Sequence, residues 1–218
     1  AGATVHLFAK FDIPKISHQI VAGTYNVFMA VPTIYVKLIQ YFDSIDPAEV
    51  QKICDGFKDM RLNISGSAAC PVKLFNQWKG LTGQVLLERY GMTEAGMITS
   101  NPYSGSRVPG TVGFALPGVT ARVVDDKGRE IERGEVGVLE VRGPNVFAGY
   151  WEMPEKTAEE FRADGFFITG DLATMDPEGR ITIVGRAKDL VISGGYNVYP
   201  KEVEEQLDLM PGIKESCV

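Results

Sequence analysis

Histidine is scarce in this 218-residue sequence, where only His6 and His18 occur. Cysteine is nearly as scarce, with Cys54, Cys70 and Cys217 as its three copies. No pair of these residues has metal-ligand spacing, which argues against a dedicated metal centre. An odd number of cysteines points to reduced cytosolic thiols rather than a disulfide framework. Excess positive charge is also missing: 22 Lys and Arg stand against 28 Asp and Glu, a net charge of -6. The basic residues are interleaved with acids and read as a solvated surface. A nucleic-acid partner, which needs a basic face, is therefore not expected. The longest apolar run, Val27–Pro32, falls far short of the roughly 18 residues that suggest a membrane span. There is no signal-peptide pattern, no internal repeat and no low-complexity segment. The chain opens Ala-Gly-Ala-Thr rather than with Met, so its true N-terminus is expected to lie elsewhere.

The composition itself, 44% hydrophobic and 23% charged, is that of an ordinary globular protein. The first hundred residues alternate helix and strand signals. Asp12 is placed to cap a helix with Pro14 in its first turn. Tyr25–Val31 reads as a buried parallel strand, and Pro32-Thr33 opens a helical pattern through Ile34, Leu38 and Ile39. Met60–Ile64 reads as a second buried strand, closed by the small-residue loop Ser65–Ala69. Pro71 starts a helix with Val72, Leu74, Phe75 and Trp78 on its apolar side, and Val85–Leu87 is a third short strand. Such alternation predicts an α/β fold, with parallel strands covered by helices. Near Asn101 the texture changes to short β-patterned runs rich in Gly and Pro. Strands are expected over Val119–Val124, Val136–Val141 and Arg180–Val184, with turns at Asp125–Gly128 and Asp176–Gly179. This part is expected to be a small antiparallel sheet or barrel-like subdomain. After Lys188 come a strand at Leu190–Ser193, a glycine turn and a helix from Pro200 through Leu207. That last stretch is too short for an independent core, which suggests truncation.

Four short motifs carry chemistry. Tyr90-Gly91-Met92-Thr93-Glu94 directly follows the strand Val85–Leu87, and open parallel sheets collect ligands at the C-terminal ends of their strands. Tyr90 offers a flat face for a base, Gly91 allows close backbone approach, Thr93 offers a hydroxyl to a phosphate, and Glu94 is a hard oxygen ligand suited to Mg²⁺. The same residues would equally serve a helix start capped by Thr93. In Phe167–Leu172, Asp171 can accept both ribose hydroxyls, although Thr-Gly-Asp is also a common turn. Arg186 in Gly185–Asp189 has the donor fork for a phosphate or ribose, or for a surface salt bridge. The paired Gly194 and Gly195 suit contact with an extended ligand or a plain hairpin turn.

The order and spacing of these motifs resemble the adenylate-forming superfamily: acyl-CoA synthetases, peptide-synthetase adenylation domains and beetle luciferases. The matching stretches are SGSAA from Ser65, YGMTE from Tyr90, GPNVFAGYW from Gly143, ITGDL from Ile168 and GRAKDLVISGGYNVYPKEVEE from Gly185. Together they cover essentially the whole chain. Within the superfamily the resemblance is greatest to bacterial malonyl-CoA synthetases, through Arg61-Leu62, Leu87–Glu94, Thr99–Tyr103, Val108–Gly110 and Asn197–Glu202. Cys70 departs from that pattern, standing where Pro or Leu is commoner.

The resemblance implies a parts list. Ser65, Gly66, Ser67 and Ala68, with Glu88, Arg89, Tyr90, Gly91 and Met92, would line an ATP or AMP pocket. Thr93 would contact the α-phosphate, Glu94 the Mg²⁺, Asp171 the ribose, and Arg186 ribose or phosphate oxygens. Lys188 would be the hinge of a C-terminal lid, Gly194 and Gly195 would meet coenzyme A, and Arg61 would face the second carboxylate of a diacid. Three parts would follow: 1–104 within an α/β adenylate-binding subdomain, 105–187 a β-rich subdomain, and 188–218 the hinge and truncated start of an α+β lid. The implied activity is a cytoplasmic acid–CoA ligase that joins a small carboxylic acid, expected to be malonate, to coenzyme A through an acyl-adenylate, using ATP and Mg²⁺. A fatty acid–CoA ligase and a non-catalytic AMP-binding module are the alternatives. The family's Ser/Thr/Gly-rich phosphate loop has no match in residues 1–64, and neither Lys201 nor Lys214 stands in the setting of its lid lysine. By itself this polypeptide is therefore expected to bind AMP weakly without turnover.

Overall fold

A computed structural model describes every residue except Ala1, Leu7, Gly195, Lys214 and Glu215. Its first layer is helical. Asp12 caps α1 (Ile13–Val21), its carboxylate accepting the Lys15 N–H at 3.0 Å, with Pro14 in the first turn. Pro32 opens α2 (Pro32–Phe42). Asp46 caps α3 (Pro47–Lys58) through the Ala48 N–H at 2.8 Å, a helix the sequence reading passes over. Then α4 (Val72–Thr82) ends on Gly83, whose φ of 73° is the left-handed terminator typical of helices.

These helices cover a five-stranded sheet of order β1 (Val27–Ala30), β2 (Leu62–Ser65), β3 (Leu87–Met92), β4 (Gly96–Ser100), β5 (Phe114–Ala115). The first three strands are parallel, and β4 and β5 run antiparallel to their neighbours. Trp78, Tyr35 and Phe57 form the centre of the core, fully buried. The Trp78 ring meets the other two edge-on at 4.8 and 4.6 Å. Their polar atoms are satisfied by the sheet: the Trp78 indole donates to Asn63 Oδ1 at 3.1 Å, and the Tyr35 hydroxyl to the Ile64 carbonyl at 2.7 Å. Two expectations need correction. The strand expected at Tyr25–Val31 is an edge strand, with Met29 61% exposed, because a neighbour lies on one side only. Val72 is also largely exposed, in the first turn of α4, while Leu74, Phe75 and Trp78 carry its apolar face.

The second sheet is antiparallel, in the order β6 (Thr120–Val124), β7 (Gly137–Arg142), β8 (Phe167–Met175), β9 (Ile181–Arg186). Its hairpin turns are held by aspartates. Asp125 accepts the backbone N–H groups of Lys127 and Arg129, both at 2.9 Å, and Asp176 accepts that of Arg180 at 2.7 Å. The sheet stays open, with β6 and β9 at its edges, so the barrel-like form reduces to a sheet. A β-bridge from Gly113 to Ile181 ties it to the first sheet. A short helix, α5 (Pro154–Glu160), stands between β7 and β8. Beyond β9 a hairpin of β10 (Val191–Ser193) and β11 (Tyr196–Val198) leads to α6 (Pro200–Leu207). Lys201 fastens α6 to the Ile183 carbonyl at 2.8 Å, and Lys73 reaches from α4 to the Asp208 carbonyl at 2.8 Å.

One charged group lies wholly beneath the second sheet. Glu140 on β7 is fully buried and paired to Arg122 at 2.8 Å and Arg162 at 2.7 Å. Arg122 also lies over the Phe166 ring, 3.8 Å from its centre. Replacing Glu140 by Ala leaves the half-buried guanidinium groups of Arg122 and Arg162 without this partner. Urea unfolding of Glu140→Ala is expected to show a loss of about 3 kcal/mol. A loss below about 1 kcal/mol would show that the cluster does not hold β6, β7 and the 161–167 turn together.

Candidate functional site

The register of β7 and β8 contains the feature that builds the site. Glu140 pairs with Ile168 and Val138 with Leu172, so Thr169, Gly170 and Asp171 together oppose Leu139 alone. Such a bulge kinks the strand and re-aims a side chain. Gly170 makes it possible, since its φ of 74° is costly for any residue with a Cβ. The Thr169 hydroxyl bridges the gap, donating to the Leu139 carbonyl at 2.8 Å and accepting the Asp171 N–H at 3.1 Å. Asp171 is thereby turned into a cleft between the two sheets. It is 4% exposed, takes a short hydrogen bond from the Tyr90 hydroxyl, and faces Arg186 Nε at 3.2 Å. Burial pushes the Asp171 carboxyl up, against the pull of the Tyr90 bond and the Arg186 charge. Burial, then the Asp171 charge, pushes the Tyr90 phenol up as well, so it remains a donor.

The cleft holds about 540 Å³. Ser67 and Ala68 line one wall, Arg89, Tyr90, Gly91 and Met92 the floor, and Asp171 and Arg186 the far side. Lys201 and Glu204 of α6 reach its rim. Ser67 holds a left-handed backbone, φ 69°, a strain that folds tend to keep at binding loops. Ser65 is buried at the end of β2, beneath that loop. The Arg89 guanidinium lies against Gly66, where an added Cβ would come within 2.8 Å of its Cζ. Its side-chain hydrogen-bond acceptor among the described residues is the soft Met29 Sδ, at 3.6 Å. Arg89 is therefore a cation at the cleft with no acidic partner among those residues.

The strand β3 runs further than expected, through Tyr90 and Gly91 to Met92, and Thr93 and Glu94 form the turn of the β3–β4 hairpin. A helix start capped by Thr93 is thus ruled out. At Gly91 the two strands close so tightly that a Cβ would sit 2.2 Å from the Gly96 carbonyl oxygen, which requires glycine there. The Glu94 carboxylate accepts the Tyr150 hydroxyl at 3.2 Å through one oxygen. No group of three or more His, Cys, Asp or Glu gathers among the described residues. A single half-exposed carboxylate beside an exposed threonine suits Mg²⁺, which keeps several waters and shares the protein with substrate phosphates.

Comparison with known proteins identifies the family. The model of a family described as AMP-binding enzyme matches residues 1–151. The chain belongs to that family. It is 39% identical to the mitochondrial malonate–CoA ligase ACSF3 of Mus musculus, the match taking in 100% of this chain and 42% of that protein. It is 36% identical to a long-chain-fatty-acid–CoA ligase of Yersinia pestis, over 95% of this chain and 35% of that protein. The ATP-bound crystal structure of MatB from Rhodopseudomonas palustris superposes with a TM-score of 0.89 at 53% identity, over 97% of this chain and 40% of that one. The chain thus spans less than half the length of these relatives.

Several family-motif positions lie apart from the cleft. Arg61 is exposed and precedes β2, whereas the Ser65–Ala69 loop follows it. It does not line the cleft, because parallel strands present opposite ends to opposite edges of a sheet. Lys188 is exposed in the short 3-10 turn Ala187–Asp189, and Gly194 is exposed in the β10–β11 turn. Gly195 lies outside the described residues. Two groups escaped the sequence reading. Lys201 carries no local signal of a site, and its place at the cleft rim depends on how α6 docks. Tyr150 stands in the GPNVFAGYW stretch with no role implied for it, and its contact with Glu94 spans 56 positions.

Glu88, next to Tyr90 on β3, is 3% exposed and accepts the Gly110 N–H at 3.0 Å. Burial pushes its carboxyl up to about 7, despite that bond and the nearby Lys201 charge. The folded state therefore holds this proton where the unfolded state, near 4.5, has lost it. Stability is fully present below about 4.5 and falls as pH rises to about 7, a cost on the order of 3 kcal/mol. Glu88→Gln keeps the acceptor and removes the titration. Denaturant unfolding from pH 4 to 8.5 should show wild type losing ground to the variant across that window. Parallel profiles would mean that Glu88 is ionised without penalty.

Proposed function

We propose that these residues serve an ATP-dependent acid–CoA ligase whose acid is malonate. The observation that carries the nucleotide half of this reading is the Tyr90–Asp171–Arg186 arrangement on the cleft wall. A buried carboxylate with a fixed donor on one side and an arginine on the other suits a ribose, with the tyrosine face left for a base. The Ser65–Ala69 loop and the Glu88–Tyr90 backbone border the adenine, and Gly91 and Met92 continue that floor. Thr93 donates to an α-phosphate oxygen, and Glu94 would hold Mg²⁺, which would supply charge neutralisation. Arg186 bridges the ribose and the developing charge at phosphorus.

In this chemistry the acid's carboxylate oxygen attacks the α-phosphorus of ATP. The bond to the bridging oxygen breaks, and pyrophosphate leaves. The thiol of coenzyme A then attacks the acyl carbon and AMP departs. One cleft must therefore admit two successive partners, which is the use of a hinge at Lys188. Gly194 and Gly195 meet the thiol substrate after the turn. The division into 1–104, 105–187 and 188–218 belongs to this proposal, as does a cytoplasmic location. No described helix is long and apolar enough to cross a membrane, but the relatives named for malonate include a mitochondrial one.

The choice of malonate rests on Arg89. A guanidinium at the cleft without an acidic partner favours a substrate that brings a second carboxylate, and disfavours an alkyl tail. Arg89 thus takes the role first expected of Arg61. In the ligase carrying these residues, Arg89→Ala should lower kcat/KM for malonate by about a hundredfold or more while leaving the KM for ATP nearly unchanged. Arg61→Ala should leave both nearly as they were. A loss of malonate use in Arg61→Ala alone, or octanoate outpacing malonate in the wild type, would contradict the assignment.

A further inference from the structure

Glu94 stands on a hairpin turn, where a half-exposed carboxylate would ordinarily sample several rotamers. Here the segment 145–150 holds the turn from three sides. The Phe147 N–H donates to the Glu94 carbonyl at 2.7 Å, and the Asn145 side chain donates to the Ala95 carbonyl at 2.7 Å. The Tyr150 hydroxyl reaches the carboxylate itself, at 3.2 Å from Oε1. Tyr150 is in turn fixed. Its ring meets Phe147 edge-on at 4.8 Å, and its N–H donates to the Thr157 hydroxyl of α5 at 2.9 Å.

We infer that Tyr150 is a positioning residue for Glu94: by occupying one carboxylate oxygen it sets the rotamer in which the other faces a hard divalent cation bound with the nucleotide. This rests on the reading of Glu94 as the cation ligand. Outer partners of metal-binding carboxylates act in this way, and their loss commonly weakens metal binding ten- to a hundredfold. Tyr150 would touch neither cation nor nucleotide. Its effect would therefore fall on metal affinity and not on binding of the nucleotide alone.

The test uses MnCl₂ with ATP, followed by water-proton relaxation on the 218-residue chain. Tyr150→Phe keeps the ring contact and removes only the hydroxyl. It should weaken Mn²⁺ binding about tenfold and leave metal-free ATP binding and the melting temperature unchanged. Thr157→Val loosens the same segment without touching the carboxylate. It should lower the melting temperature and weaken Mn²⁺ binding clearly less than Tyr150→Phe does. Equal Mn²⁺ losses in both variants would reduce Tyr150 to a packing role and overturn the inference. So would wild-type binding in Tyr150→Phe combined with loss in Glu94→Gln, a result that spares the reading of Glu94. Wild-type binding in Glu94→Gln, or no Mn²⁺ binding by the wild type, would overturn both.

Discussion

The site depends on one constraint, the burial of the Asp171 carboxylate between the two sheets. A charge there is tolerated only with fixed partners, and each partner comes from a different strand. Tyr90 comes from β3, Arg186 from β9, and Asp171 itself from the bulge in β8. The bulge uses the positive φ of Gly170, and it leaves a gap in the ladder that the Thr169 hydroxyl closes. The ladder of β8 with β9 places Asp171 directly opposite Arg186, so the pair is set by register and not by side-chain reach.

From that pair the rest of the cleft follows. The bridge between Gly113 and Ile181 holds β9 against the first sheet, and so brings Tyr90 within reach of Asp171. The floor then carries Arg89, whose guanidinium has no acidic partner among the described residues, and beside it on β3 stands Glu88, whose proton the buried setting retains. These neighbours on one strand point to opposite faces, as the period of a strand requires. One is held by the backbone at Gly110, and the other lies beside the Ser65–Ala69 loop. A cleft with an orphan cation, a ribose-sized acceptor and a carboxylate on the adjoining turn suits anionic ligands, even though the chain is acidic overall.

Local signals in the sequence were legible where a single residue determines the outcome. Asp12 and Pro14 foretold α1, and Pro200 through Leu207 foretold α6 with its bounds. Asp46-Pro47 is an equally good start for α3, but the sparse apolar pattern behind it hid the helix. Non-local facts were not legible. Periodicity cannot tell an edge strand from a central one, so β1 looked buried. Nor can it show that β3 continues past Leu87, because Arg89, Tyr90 and Gly91 break the apolar run. The two arginines give the sharpest contrast. Arg61 and Arg89 each stand within a few positions of a motif, but only the direction of β2 and β3 reveals which one reaches the cleft.

Titrating the chain with AMP by calorimetry, for wild type and for Asp171→Ala, tests the central claim most directly. The buried Asp171 pairing predicts saturable binding in the wild type and a loss of about tenfold or more in the variant, with Asp171→Asn falling between them. Equal AMP affinity in all three proteins would mean that the ribose is not held at Asp171, and the cleft would then need another ligand.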